Sequence, residues 1–203
     1  MRATNTPEGE SSGTHIIRFS RELYIEREDF MEDGGKKFMR LGPGKEVRLK
    51  NAYIIKCEDF VKDENGNVVE LKCSVDMDSR SGSEGANRKV KGTLHWLSEA
   101  DAVPCEFRLY EPILSEEPEE EEIVVSEDEE AAEAPAKDFM DRINPDSLKV
   151  VKGFCEPYIA NSEVGATFQF LRMGYFCKDK DSAETPVFNR TVGLKDSWAK
   201  VAK

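Results

Sequence analysis

Residues 36–53 (KKFMRLGPGKEVRLKNAY) are the part of the chain best suited to chemistry. This basic stretch holds six lysines and arginines and one acidic residue, in a chain of formal net charge −12. Guanidinium and ammonium groups donate hydrogen bonds to phosphates and to base edges. Glycine and proline at 42–44 predict a loop, and the alternation from Val47 onward puts cationic and apolar side chains on opposite strand faces. The stretch predicts a nucleic-acid contact, although a charged run taken alone is more often a solvated face.

The negative net charge of the chain comes from a single segment. Residues 111–136 contain twelve of the 41 acidic residues and no lysine or arginine. The other 29 acidic residues equal the 29 lysines and arginines in number, so the rest of the chain is close to neutral. Salt screens charges over roughly 8 Å, and a basic face therefore acts independently of a distant acidic segment. We expect residues 115–137 to form a flexible acidic linker, and an anionic partner stays compatible with the net charge.

The sequence lacks the common signatures of catalysis and nucleotide binding. It has no GxGxxG, no GxxxxGK[ST] and no HExxH. The only histidines are His15 and His95, and we expect His95 to be structural. The five cysteines are widely spaced and never form a CxxC pair, which predicts reduced core thiols and no metal site. No apolar run approaches the ~20 residues of a membrane span, so the sequence predicts a cytoplasmic chain. The missing motifs predict a chain without catalytic activity.

Short alternating runs of apolar and polar residues predict an all-β chain. Residues 52–78 form a predicted hairpin around Asn65-Gly66, a dipeptide that supplies the positive φ angles of a tight turn. Two groups of strands on either side of the acidic segment predict two small antiparallel β-barrels, and residues 1–15 predict a disordered leader. The pattern does not decide which group the first predicted strand, residues 19–25, joins. The other predicted strands lie at 89–97, 103–114, 143–157, 165–179 and 185–194.

Five segments, taken together and in this order, resemble the C-terminal anticodon-binding region of glutaminyl-tRNA synthetases. The resemblance runs from about Phe19 to Lys200 and leaves out the acidic segment. It implies two antiparallel β-barrels side by side, joined by the acidic flexible insert. The distal barrel would comprise 36–114, and the proximal barrel 16–35 plus 138–203. The five segments are GKEVRLKNAY (44–53), VKGTLHW (90–96), INPDSL (143–148), FQFLRMGYFC (168–177) and PVFNRTVGLKDSWAK (186–200).

The same resemblance implies a parent enzyme of class I, a ligase that attaches glutamine to its tRNA with ATP and Mg²⁺. The catalytic domain of that enzyme would lie N-terminal to the anticodon-binding region. This chain would then bind glutamine-specific tRNA as a monomer, without a cofactor of its own and without catalysis. Two alternatives stay open: the anticodon-binding region of a related glutamyl-tRNA synthetase, and a protein-interaction module that uses the acidic segment to bind basic partners.

The resemblance also implies roles for four side chains. Arg48 would contact the first anticodon base and Arg40 the third, a guanine whose two acceptors suit a guanidinium fork. Gln169 and Arg172 match the contacts to the central uracil, and a glutamine amide both donates to and accepts from a base edge. Strand alternation puts Gln169 outward and its two neighbouring phenylalanines inward. Further candidate RNA contacts are Lys36, Lys37, Lys45, Lys50, Lys91 and Arg190.

Overall fold

The structure is a computed structural model of the chain. Lys36 and the predicted acidic linker, residues 115–137, lie outside the part of the chain that it describes. The described residues are 1–6, 9–35, 37–114 and 139–194. The chain forms two compact units. The first unit consists of Met1–Val103 and Phe154–Asn161, and the second of Pro104–Gly153 and Ser162–Lys203.

Strands are the predominant regular structure of the described residues, which confirms the predicted all-β class. No helix among them is both long and apolar enough to cross a membrane. The strands are β1 (Arg2–Thr6), β2 (Gly9–Ile16), β3 (Leu23–Tyr24), β4 (Glu46–Leu49), β5 (Ile54–Lys62), β6 (Val68–Asp76), β7 (Thr93–Leu94), β8 (Leu97–Ser98), β9 (Val103–Tyr110), β10 (Leu148–Cys155), β11 (Thr167–Phe170), β12 (Gly174–Lys178) and β13 (Val187–Gly193). The helices are α1 (Pro157–Ala160) and 3₁₀ turns at Arg27–Asp29, Met77–Ser79, Glu84–Asn87, Glu99–Asp101 and Phe139–Arg142.

The two units divide the chain differently from the predicted domains. Residues 16–35, predicted to join the C-terminal barrel, lie in the first unit, where β3 pairs with β8. Residues 104–114, predicted to join the basic stretch, lie in the second unit, because β9 hydrogen-bonds into the sheet of that unit. Short alternating runs show which face of a strand is buried but do not identify its neighbour. The sequence pattern therefore could not make either assignment.

Strands β1 (Arg2–Thr6) and β2 (Gly9–Ile16) form a β-hairpin where the sequence predicted a disordered leader over residues 1–15. Strands β1 and β2 pair antiparallel from the Arg2–Ile16 pair onward, with one irregularity in the register. Ala3, on β1, is buried. Main-chain pairing holds these strands together, and the residues of this segment are mostly small and polar. Hydrophobic alternation therefore could not reveal them.

The basic stretch contributes to the four-stranded sheet of the first unit, whose strand order is β6-β5-β4-β7. Strands β5 and β6 form the predicted hairpin, and Gly66 takes a φ of 83° in its turn. Along β4, Val47 and Leu49 are buried while Arg48 is half-buried, which confirms the predicted alternation. This burial holds the cationic face of β4 in a fixed orientation. The surrounding core comprises Leu41, Ala52, Ile55, Cys57, Leu94 and Trp96.

The second unit is built on a five-stranded sheet with the order β10-β9-β13-β12-β11. One face of this sheet carries an aromatic cluster whose ring centroids lie 4.8 to 5.8 Å apart. Rings at this spacing pack in offset or edge-to-face arrangements and stabilise one another beyond simple apolar burial. The cluster fixes the strand from which Gln169 projects. Its members are Phe107, Phe170, Phe176 and Phe188.

The sheets are not the closed antiparallel barrels that were predicted. Among the described residues, each strand order is open at both ends. Strand β4 also pairs with β7 in parallel, and β9 pairs with β13 in parallel. Three strands, β3, β7 and β8, are only two residues long, which limits how far pairing can continue around a sheet. Side-chain alternation is the same in both strand directions, so it does not predict parallel pairs.

All five cysteines are free thiols. Cys57, Cys105 and Cys155 are buried, as predicted, whereas Cys73 is exposed and Cys177 is partly so. Within the described residues, no group of three or more histidine, cysteine, aspartate or glutamate side chains could hold a metal ion.

Candidate nucleic-acid interface

Lys45 holds together the loop that begins the basic stretch. Its Nζ donates to the carbonyl oxygens of Gly35 at 3.0 Å and Phe38 at 3.3 Å. The same Nζ lies 5.6 Å from the centroid of the Phe38 ring, which is a cation–π distance. Gly44, with a φ of 68°, turns the chain so that the lysine faces the loop it follows. The ammonium group of Lys45 therefore stabilises this loop and already donates to two carbonyl oxygens.

Arg40 is oriented by a buried carboxylate. Its Nε lies 3.6 Å from Oδ1 of Asp29, and its Nη1 donates to the carbonyl of Glu28 at 3.0 Å. The Asp29 side chain is 1% exposed, whereas that of Arg40 is 18% exposed. A guanidinium held in this way loses less conformational entropy when it binds a planar acceptor pair. Arg40 is thus a pre-oriented donor at the edge of the loop.

Arg48 stabilises the loop that follows β6 through hydrogen bonds to its main chain. Its Nη1 donates to the carbonyl of Ser79 at 2.8 Å, and its Nη2 donates to the carbonyls of Ala86 at 2.9 Å and Arg88 at 3.2 Å. Arg88 in turn donates to both carboxylate oxygens of Glu46, at 2.7 and 3.1 Å. The hydrogen bond from Arg88 lowers the pKa of the Glu46 carboxyl. The resemblance implied a base contact for Arg48, and the structure adds that it positions a loop.

The other candidate RNA contacts of the first unit that the structure describes are exposed. Lys37 follows the position of Lys36, which lies outside the described residues; Lys50 follows β4; and Lys91 precedes β7. None of the three described ammonium groups makes an ion pair with another described residue. Such groups are free to meet phosphates, which position a nucleic acid without reading its sequence.

Gln169 projects from the outer face of β11. Along this strand Thr167 and Gln169 are exposed while Phe168 and Phe170 are partly buried, as predicted. On the neighbouring strand β12, Tyr175 lies directly opposite Gln169 and is also exposed. An exposed amide offers both a donor and an acceptor to a base edge.

Arg172 and Arg190 are placed differently on the same sheet. Arg172 lies in the turn between β11 and β12, with a left-handed φ of 67°. Arg190 lies on β13, and its Nη2 donates to Oε1 of Glu111 at 2.7 Å. The charge of Arg190 is therefore partly neutralised, whereas Arg172 occupies a backbone conformation that is costly for a residue with a side chain.

Glycine and alanine at position 172 are expected to differ in stability. Both Arg172→Gly and Arg172→Ala remove the guanidinium, but only glycine adopts a positive φ without steric cost. We expect the free energy of unfolding of the glycine variant to exceed that of the alanine variant by about 1 kcal/mol. Urea denaturation of both variants measures this difference. Equal stabilities would contradict the left-handed backbone at this residue.

A cluster of two histidines and one glutamate lies in the first unit. Nε2 of His15 is 2.9 Å from Oε2 of Glu156, and Nε2 of His95 is 3.3 Å from Oε1. The other ring nitrogen of His15 lies 2.9 Å from Oδ1 of Asn5, and its ring stacks on Tyr158 with centroids 4.5 Å apart. The cluster joins the β1–β2 hairpin to the start of α1. His95 thus has the structural role expected of it, whereas the sequence did not predict the cluster.

The cluster predicts a stability that depends on pH. Burial alone would raise the pKa of the Glu156 carboxyl, but the hydrogen bond with His95 and the charges of both histidines lower it below the usual 4.5. A carboxyl whose pKa is depressed on folding contributes stability above its unfolded pKa, and this is lost as the pH falls through the folded value. We expect Glu156→Gln to lower the free energy of unfolding by about 1.5 kcal/mol at neutral pH.

The difference between wild type and Glu156→Gln should shrink as the pH falls below about 4.5. Urea denaturation at a series of pH values checks this, with Glu26→Gln as the control because Glu26 is an exposed carboxyl of the same unit. A difference that persists unchanged to pH about 3 would show that the carboxylate charge does not stabilise the cluster.

Two family profiles match the chain, over residues 1–76 and 93–179, and both are described as tRNA synthetases class I (E and Q), anti-codon binding domain. The chain belongs to this family. Similar curated proteins include the glutamine–tRNA ligases of Nitrobacter hamburgensis (46% identical over 203 residues), Clostridium kluyveri (48% over 200) and Escherichia coli O157:H7 (44% over 201). The alignments cover 100%, 98% and 98% of this chain and 34% of each relative. The chain thus spans about a third of the length of these relatives.

In this anticodon-binding chain the four predicted base contacts are divided between the two units. Arg40 and Arg48 belong to the first unit, and Gln169 and Arg172 to the second. Asp29, which orients Arg40, was not predicted. It lies among several acidic residues that look alike in the sequence, and only its burial distinguishes it.

Proposed function

We propose that this chain is the anticodon-binding part of a glutamine–tRNA ligase and that it recognises the glutamine anticodon. The observation that carries this proposal is 44–48% identity to glutamine–tRNA ligases over almost the entire chain. The family profiles cover both glutamate and glutamine synthetases. The relatives favour the glutamine enzyme over the glutamate one.

Each unit supplies base contacts in this proposal. In the first unit, Arg48 contacts the first anticodon base and Arg40 the third, a guanine. In the second unit, Gln169 and Arg172 contact the central uracil. Anticodon bases that leave their stack expose the edges that specify them, and amide and guanidinium groups match those edges. Weaker contacts to the RNA are proposed for Lys36, Lys37, Lys45, Lys50, Lys91 and Arg190.

The two arginines of the first unit are prepared for this role in different ways. The buried carboxylate of Asp29 holds Arg40, so the guanidinium group is already oriented before RNA binds. Arg48 already donates to three main-chain carbonyls, so replacing it would release the loop after β6 as well as remove a base contact. A binding defect in an Arg48 variant therefore requires a structural control.

We assign binding and not catalysis to these residues. In the proposed parent enzyme, ATP and Mg²⁺ would supply the activation of glutamine in the part of the relatives that this chain does not cover. The described residues offer no metal-binding group, and no step of that reaction is assigned to them. A cytoplasmic location and a monomeric state stay predictions. The purified 203-residue chain is expected to lack ATP–pyrophosphate exchange.

Binding to three tRNA transcripts tests the proposed function. The first is glutamine tRNA, the second is the same tRNA with the central uracil changed to cytosine, and the third is glutamate tRNA, whose anticodon differs at the third base. Titrations at two salt concentrations separate electrostatic attraction from base recognition, because phosphate contacts weaken with salt for every RNA alike. We expect glutamine tRNA to bind at least roughly 30-fold more tightly than the central-cytosine tRNA, and at least roughly 5-fold more tightly than glutamate tRNA, at both salts.

Other outcomes identify the alternatives. Equal affinity for all three transcripts would contradict anticodon recognition and leave only non-specific attraction. Preference for glutamate tRNA would indicate the related synthetase. Binding to basic proteins that is lost when residues 116–134 are deleted, without any tRNA binding, would indicate a protein-interaction module.

A further inference from the structure

The outer face of the second unit carries an exposed aromatic ring beside Gln169. In the register of β11 and β12, Tyr175 lies directly opposite Gln169, so the two side chains project from the same face of the sheet. Tyr175 is 42% exposed. On its other side it is paired with Val192 of β13, which is 55% exposed. A row of three exposed side chains therefore crosses three adjacent strands.

The ring of Tyr175 is not needed by the core. The opposite face of the same strands already holds the phenylalanine cluster, in which Phe170 and Phe176 pack at 4.8 Å. Tyr175 makes no ring contact with another described aromatic residue, and within the described chain its hydroxyl has no hydrogen-bond partner. A tyrosine that is 42% exposed and has neither contact leaves part of a large apolar ring in water, where it suits a flat partner.

The backbone beneath this ring is held tightly. Gly174, with a φ of 137°, lies so close to β13 that a Cβ there would be 2.4 Å from the carbonyl oxygen of Val192. Thr191 donates from Oγ1 to the carbonyl of Tyr175 at 3.1 Å, at the point where the register of β12 and β13 shifts. Tyr175 also lies on a strand with a partner on both sides. Its ring is therefore presented from a rigid position.

We infer that Tyr175 is a stacking platform for the unstacked anticodon base whose edge Gln169 contacts. This inference rests on the proposed function and adds a residue to it. A base seated on the ring would present its edge towards the neighbouring amide, because the two side chains occupy directly opposite positions on adjacent strands. Stacking uses the face of a base, which all four bases share, whereas the amide reads the edge, which differs among them.

The two neighbouring side chains should therefore have separable effects. Loss of the Tyr175 ring should weaken binding of RNAs with any central base by roughly 5- to 150-fold. Loss of the Gln169 amide should instead change the preference among central bases. The affinity for an RNA that lacks the central base should not change when the Tyr175 ring is removed.

The experiment uses the full 203-residue chain and anticodon stem-loop RNAs with uracil, cytosine or an abasic site at the central position. The variants are Tyr175→Leu, Tyr175→Phe and, as a matched control, Tyr110→Leu, because Tyr110 is a tyrosine of the same unit that is 46% exposed. We expect Tyr175→Leu to weaken binding of both base-containing RNAs. Tyr175→Phe and Tyr110→Leu should bind them as wild type does, and all the proteins should bind the abasic RNA equally.

Wild-type affinity of Tyr175→Leu for the uracil RNA would overturn the inference and leave the proposed function standing. An equal loss of affinity by Tyr175→Leu for the abasic RNA would also overturn it, since the defect would then be structural. Failure of the wild-type chain to prefer the uracil RNA over the cytosine RNA would contradict the proposed function itself. Melting temperatures of all variants, measured alongside, identify any that fail to fold.

Discussion

Alanine in place of Gly92 is expected to lower the free energy of unfolding of the first unit by about 3 kcal/mol. A Cβ at this position would lie 2.1 Å from the carbonyl oxygen of Met39 and 3.1 Å from Cγ1 of Val47. The oxygen belongs to the backbone and cannot rotate away as a side chain would. The carbonyl of Gly92 also accepts the amide of Arg48 at 2.8 Å, so the strand cannot retreat without breaking that bond.

The same substitution should also weaken RNA binding, because Arg40 directly follows the residue that must move. Urea denaturation and tRNA titration of Gly92→Ala measure the two effects. Gly193→Ala is the control, since a Cβ there meets no atom within 4 Å and should cause no loss of stability. A Gly92→Ala chain as stable as wild type would show that the approach of Met39 to this strand is not close.

Replacement of Gln169 by alanine is expected to reduce the preference for a central uracil by roughly 30-fold, which corresponds to about 2 kcal/mol. The amide is exposed and makes no contribution to the phenylalanine core. The fold should therefore be unchanged. A base-edge contact is lost only for the base that matches it, so affinity should fall for uracil RNA and change little for the mismatched RNA.

The measurement is affinity at fixed salt for tRNA with uracil and with cytosine at the central position. Thr167→Ala is a matched control, because Thr167 is exposed on the same strand and carries no assigned role. Arg172→Ala should reduce the same preference. Full selectivity of the Gln169→Ala chain for the central uracil would refute the assignment of this residue.

The orientations of the main side chains were predictable from sequence because they depend on local alternation. Val47 and Leu49 alternate with Arg48 on β4, and the phenylalanines of β11 alternate with Gln169. A period of two assigns each residue to a face without any knowledge of neighbouring strands. The β5–β6 hairpin was predictable for the same reason, since its turn signal is also local.

Contacts between distant segments were not predictable. Glu156 lies 141 residues from His15 and 61 from His95, and no spacing rule connects them. Lys45 and Arg48 bind main-chain carbonyls, which every residue possesses, so the sequence cannot show which carbonyl a cation meets. In the candidate site, Lys45 and Arg48 were predicted as RNA contacts, and the structure shows that they also stabilise loops.

The discontinuous first unit has a consequence for biosynthesis. Its last segment, Phe154–Asn161, is translated after Pro104–Gly153 of the second unit. At ~5–20 residues per second, the 61 residues between His95 and Glu156 take roughly 3 to 12 s to synthesise. During that time both histidines are on the nascent chain without their carboxylate. The first unit therefore acquires its final segment only after half of its neighbour has been made.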